Sequence, residues 1–191
     1  MAGSGTAFVE LLSSKYKIEI ELLPLDYGIG QFLLDKNFIQ QCFITSEPYF
    51  AKKQGANPGA LLIRESGIDP YHTWYTRTDF ALKHPDIVEK FSRATIKGWQ
   101  NYLFGNREKA DALLMSLNPK LDESFIAYSV GALIEHHLVT GDSGDPAVIG
   151  TIDPSRIEAE MLQLVELGFL DKTVDIESLL VKSERTSGST K

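Results

Sequence analysis

Three short stretches of this chain carry residue types that can hold a small polar molecule. Gly3-Ser4-Gly5-Thr6 places two glycines and two hydroxyls directly ahead of an amphipathic run. Glycines let a backbone approach a ligand, and a helix N-terminus turns unpaired N–H groups and a positive dipole end toward an anion. Ser4, Gly5 and Thr6 are therefore ligand candidates, with plain helix capping as the alternative. Thr45-Ser46-Glu47 follows a predicted strand and opens a predicted helix, where open α/β sheets form their ligand crevice. The hydroxyls of Thr45 and Ser46 suit a polar ligand, and Glu47 favours a cationic or hydrogen-donating group. The alternative makes Ser46 an N-cap and Glu47 a first-turn acid. Tyr71, His72, Trp74 and Tyr75 form an aromatic group. Aromatics stack on flat ligands and close apolar clefts, which makes His72 and Trp74 ligand candidates; strand packing is the alternative.

Other reactive residue types form no recognisable constellation. His136 and His137 are adjacent within a predicted helix, so they point about 100° apart and do not make the i, i+4 metal pair. Cys42 sits in a predicted strand beside Phe43, and a buried inert thiol is expected there. Glu135, Asp142 and Asp145 near Gly141 and Gly144 fail the EF-hand spacing. There is no nucleophile–base motif, phosphate-binding loop or zinc signature. The expectation is a chain with no catalytic residue, no metal and no cofactor.

The elements that must position these residues follow from periodicity. Residues 7–16 carry Phe8, Leu11 and Leu12 at helical spacing. Residues 18–23 alternate Ile18, Ile20 and Leu22 with Glu19 and Glu21, a strand pattern closed by Pro24. A short helix is predicted over 27–36, a strand over 38–45, a helix over 47–54 that stops at Gly55, and strands over 60–63 and 71–76. Strands alternating with helices imply an α/β sheet. Beyond residue 76 the pattern is helical: 79–83, 85–104, 107–117, 123–139 and 153–167. The last has Asp153 as N-cap, Pro154 at its first position and Gly168 as its stop. Residues 183–191 are polar and lack large apolar side chains, the composition of a disordered tail.

The whole chain of 191 residues is 43% hydrophobic and 24% charged, a globular composition, and carries a net charge of −7. That charge opposes non-specific binding to nucleic acid or anionic membranes. One cysteine excludes an intrachain disulfide, and no apolar run approaches a membrane span. The first residues lack the charged and apolar regions of a secretory signal.

One ordered series points further. Thr45-Ser46-Glu47-Pro48-Tyr49, Asp79-Phe80, His84-Pro85-Asp86-Ile87-Val88 and the run from Phe91 to Trp99 are followed by Asn118-Pro119, Ile149-Gly150, Ile152-Asp153-Pro154 and Leu167-Gly168-Phe169-Leu170. Over about residues 3–180 this series resembles the ABC-transporter substrate-binding proteins of the nitrate, sulfonate and thiamine-precursor group. The resemblance implies a periplasmic-binding-protein type II-like α/β fold, with 1–66 as the second lobe and 67–76 as hinge or crossover. Residues 77–182 would be a mostly helical segment returning to the first lobe, which would itself be missing. It implies a solute-binding component or fragment of an ABC importer, periplasmic or extracytoplasmic, with a membrane permease as partner. Its ligand would be a sulfonate, nitrate or pyrimidine-like thiamine precursor. Related fungal thiamine-pyrimidine synthases are enzymes on the same fold, but they carry a cysteine-rich run where this chain has Tyr71 to Thr76 without cysteine. A non-binding fragment that oligomerises through apolar surface left by the missing lobe is the third alternative.

Overall fold

Among the described residues, four aspartates cap helical turns. The side chains of Asp122, Asp145, Asp153 and Asp175 each accept a hydrogen bond from a backbone N–H just beyond them. Each thereby satisfies one of the amides that a helix start leaves unpaired, at about 1 kcal/mol per cap. At Asp145 and Asp153 the next residue is proline, whose missing N–H and fixed φ suit the first helical position.

The computed structural model describes residues 7–24, 28–67, 69 and 72–181. Among them are eight α-helices: α1 (Ala7–Tyr16), α2 (Gly30–Leu34), α3 (Glu47–Lys53), α4 (Thr78–Lys83), α5 (Pro85–Phe104), α6 (Glu108–Leu117), α7 (Glu123–Glu135) and α8 (Pro154–Glu166). Short 3-10 turns occupy Ile63–Ser66, Pro146–Val148 and Ile176–Ser178. No described helix is long and apolar enough to cross a membrane.

The expected α/β fold of periplasmic-binding-protein type is not formed. The described residues are all-helical in their regular structure, with no strand and no sheet among them. Alternation makes a strand only when a neighbour takes up the backbone N–H and C=O groups. Residues 19–23 and 39–41 make no backbone hydrogen bond among the described residues. Ile39 and Leu61, expected inside a sheet, are 84% and 86% exposed. Residues 72–77 are likewise neither helix nor strand. The helical half of the pattern forms helices where expected, because a helix satisfies its own backbone, although the one expected over 123–139 ends at Glu135. α1 and α5 have the predicted bounds. α8 has the predicted Asp153 cap, and Gly168 follows it with φ +73.

The chain divides into two compact units, one of 1–23, 61–89 and 152–191, the other of 24–60 and 90–151. In the first, side chains from α1 and α8 hold Ser66, Gly67 and Asp69. Lys15 Nζ donates to Ser66 O, Gln163 Nε2 to Gly67 O at 3.1 Å and Arg156 to Asp69 O at 2.8 Å. Arg156 also pairs with the Asp69 carboxylate at 2.6 Å. In the second unit, Leu103 of α5 packs with Ile126 and Val130 of α7. Tyr102, Met115, Leu121, Leu133 and Val139 surround these three. Gln100 Nε2 donates to Pro146 O at 2.9 Å, fixing the turn that leads to the buried Ile149.

Two glycines separate backbone strain from packing. Both Gly150 and Gly168 are left-handed, at φ +83 and +73. A Cβ at Gly150 would overlap Cγ1 and Cδ1 of Ile96, whereas at Gly168 it would meet nothing within 4 Å. Gly168→Ala is expected to lose about 1–2 kcal/mol from conformation alone. Gly150→Ala is expected to lose a further ~1–3 kcal/mol from overpacking. Urea unfolding of the two variants measures the difference; equal losses would show that the Ile96 contact carries no stability.

Candidate functional site

Among the described residues, the turn that precedes α3 is the sequence-expected site whose residues are consecutive and held by a second element. Ser46 N–H donates to Phe43 O at 2.8 Å, closing the turn. Phe43 N–H donates to Glu47 Oε2 at 2.8 Å, so the first carboxylate of α3 reaches back to the incoming chain. From α7, Tyr128 Oη donates to Ile44 O at 3.1 Å. Ser129 Oγ lies 2.8 Å from Thr45 O and 2.9 Å from Phe125 O, so its one proton serves either carbonyl. Two adjacent carbonyls of the turn are thereby tied to one helical face.

Ser46 occupies the N-cap position of α3, but its side chain makes no cap hydrogen bond. Its φ of −134 and ψ of −80 do not aim the hydroxyl at the helix amides. The capping role offered for Ser46 by the sequence is therefore not realised. The Thr45 and Ser46 hydroxyls make no hydrogen bond among the described residues, and both residues are half-buried. Cys42 is exposed, contrary to the buried strand position expected for it. Partial desolvation, and then the charge of Glu47, push its thiol pKa up from 9.0. It is thus a poor nucleophile at neutral pH. Desolvation likewise raises the pKa of Tyr128, with smaller contributions from Cys42 and Glu135, which keeps its hydroxyl protonated as the donor to Ile44.

α3 is fastened to α7 by rings and by one acid. The Phe50 and Phe125 rings stack with centroids 5.1 Å apart, and Tyr49 meets Phe125 edge-on at 5.3 Å. Asp122 Oδ1 accepts Phe125 N–H and Ser124 Oγ, each at 2.7 Å. Ser124 Oγ in turn lies 2.5 Å from Tyr49 Oη, and Lys53 Nζ reaches Asp122 Oδ2 at 3.4 Å. The Ser124 hydroxyl first, then the Phe125 amide, hold the Asp122 pKa down to about 2. The Tyr49 hydroxyl first, then Asp122, raise that of Lys53. Tyr49 stands in the motif series only as a neighbour of the turn, and Asp122, Tyr128 and Ser129 belong to no motif. Only the two hydroxyl residues interrupting the apolar sequence of α7 hinted at an inward polar task.

The other sequence-expected residues lie elsewhere. His72 and Trp74 belong to the first unit and are exposed, Trp74 at 73%. Ser4, Gly5 and Thr6 lie outside the described residues, as do Tyr71 and residues 183–191. His136 and His137 are not mid-helix: α7 ends at Glu135, His136 caps it and His137 turns left-handed at φ 52. Among the described residues no cluster of His, Cys, Asp and Glu could hold a metal.

A shallow open depression lies between α5 and α6, lined by Gly105, Asn106, Arg107, Glu108 and Asp111. Arg107 Nε donates to Asp111 Oδ2 at 2.9 Å, while Asp111 Oδ1 is buried without a hydrogen bond. The Tyr102 hydroxyl faces that carboxylate; burial first, and then Asp111, push its pKa up to about 12. This is a structural ion pair at the start of α6, open to solvent on one side. Comparison with protein-family models, curated proteins and solved structures finds no match to this chain.

Acid should reveal the Asp122 network. The folded pKa of about 2 lies below the ordinary 3.8, so protonation favours the unfolded chain. The stabilisation is fully present above the ordinary value and is lost as pH falls toward about 2. Denaturation midpoints of the native protein and Asp122→Asn, measured across this range, should converge as pH drops. A constant gap between them would remove Asp122 as the titrating group.

Proposed function

We propose that this chain is the solute-binding component of an ABC importer, holding a small polar organic ligand and performing no chemistry on it. The reading rests on the ordered motif series from Thr45 to Leu170. The observation that carries it is the pair of Thr45 and Ser46 hydroxyls, which have no hydrogen-bond partner among the described residues, on a turn clamped by α7. The two-lobed α/β cleft of the resembling proteins is no part of the proposal.

Hydroxyls donate and accept, so they match a ligand with both kinds of polar edge. Glu47 adds a negative charge at the same turn, and the chain carries −7 overall. Both disfavour nitrate and sulfonate and favour an amine-bearing, pyrimidine-like heterocycle. The bound form would be the one recognised by a membrane permease, as ligand binding shifts the population toward it. An extracytoplasmic location goes with that role. A second reading, a non-binding module that associates with itself, is favoured by the many large apolar side chains left exposed, Leu34, Leu61 and Leu117 among them.

Calorimetric titration with an aminopyrimidine, an alkanesulfonate and nitrate tests the proposal. The aminopyrimidine is expected to bind saturably, and the double variant Thr45→Val/Ser46→Ala to bind it about tenfold or more weakly. The α-helical circular dichroism should not change, because neither hydroxyl caps a helix. No binding of any of the three, or equal binding by the double variant, would overturn it.

A further inference from the structure

The end of α1 and the segment that follows it in the first unit have a self-complementary charge pattern. Lys15-Tyr16-Lys17-Ile18-Glu19-Ile20-Glu21 alternates throughout, with two bases first and two acids last. In an extended conformation the odd-numbered charges lie on one face and Tyr16, Ile18, Ile20 and Leu22 on the other. All of these residues are exposed, with Tyr16 at 53% and Leu22 at 59%. Residues 19–23 have backbone N–H and C=O groups that make no hydrogen bond among the described residues. An exposed, unpaired and β-forming segment is a template for another strand.

The charges say which strand. Laid antiparallel on a second copy with Ile18 opposite Ile18, Lys17 faces Glu19, Tyr16 faces Ile20 and Lys15 faces Glu21. Every odd position then opposes an opposite charge and every even position an apolar side chain, the pairings that stabilise an antiparallel ribbon. Neighbouring registers fail: centring on Ile20 sets Glu19 against Glu21. A parallel in-register pairing sets lysine on lysine and glutamate on glutamate. The pattern therefore specifies orientation and register together.

The local backbone is poised for this change. Lys17 is left-handed at φ 53, a conformation that non-glycine residues adopt at a cost and that extension would relieve. Lys15 and Tyr16 must leave the end of α1, and Ile18 N–H must release Ser13 O, which it reaches at 3.2 Å; helix ends fray readily. Lys15 would exchange its bond to Ser66 O for Glu21 of the second copy.

We propose that two copies of this chain associate through an antiparallel β-ribbon formed by residues 15–21. The inference is independent of solute binding.

Sedimentation of the full chain with three charge variants tests it. The native protein should show a concentration-dependent dimer. Glu19→Lys/Glu21→Lys and Lys15→Glu/Lys17→Glu should each lose it, because one sign of charge then lines both strands. An equimolar mixture of the two variants should recover a dimer containing one copy of each, which neither misfolding nor a general loss of stability can produce. A native chain that stays monomeric at the highest attainable concentration overturns the proposal. So does a dimer that persists in either single variant, which would place association on another apolar surface, or a mixture that fails to recover it.

Discussion

Asp122 joins two elements far apart in the chain, and the second unit depends on it. Its carboxylate caps α7 through Phe125 N–H, and through Ser124 and Lys53 it holds α3. With α3 fixed, the Phe50–Phe125 stack forms and the turn at residues 44–46 falls under Tyr128 and Ser129. An ion pair as exposed as Lys53–Asp122 contributes little by itself. The cap and the hydroxyl bonds are the stronger part, because they satisfy groups that the helix start would otherwise leave unpaired.

Local polar interactions carry much of the described structure because deep burial is scarce. Among the described residues the buried apolar side chains include Ala51, Leu103, Ile126, Val130, Ala132, Ile149 and Met161. Many larger apolar side chains remain exposed, including Ile39, Leu61 and Leu82. At roughly 25 cal/mol per Å² each would add stability if covered. A chain in this condition has apolar surface available for a partner, and the strand-like segments have unpaired backbone as well.

The same scarcity shapes the candidate site. Thr45 and Ser46 are held not by a sheet edge but by two side chains reaching from one helix. Tyr128 and Ser129 consume the carbonyls of the turn and leave the hydroxyls alone. Glu47, which would stand as a bare charge at a helix start, is instead bonded to Phe43 N–H and shades Cys42. The outcome is a small polar surface with donors, acceptors and one negative charge, and with no activated nucleophile.

The sequence by itself determined where the helices lie and several of their ends, though α2 and α7 are shorter than their patterns. Asp153, Pro154 and Gly168 bound α8, and Pro85 begins α5, because a helix pairs its own backbone and needs only local signals. It also determined that Thr45, Ser46 and Glu47 stand at a helix entrance. Sheet formation was not legible. Alternation at residues 18–23 and 38–45 records a capacity to pair, and pairing needs a neighbour that the pattern does not name. Tertiary structure gave these segments no strand neighbour among the described residues, and it chose Tyr128 and Ser129 to fasten the turn. It also turned Ser46 away from capping. Each of these outcomes rests on groups distant in sequence meeting in space, which no local periodicity encodes.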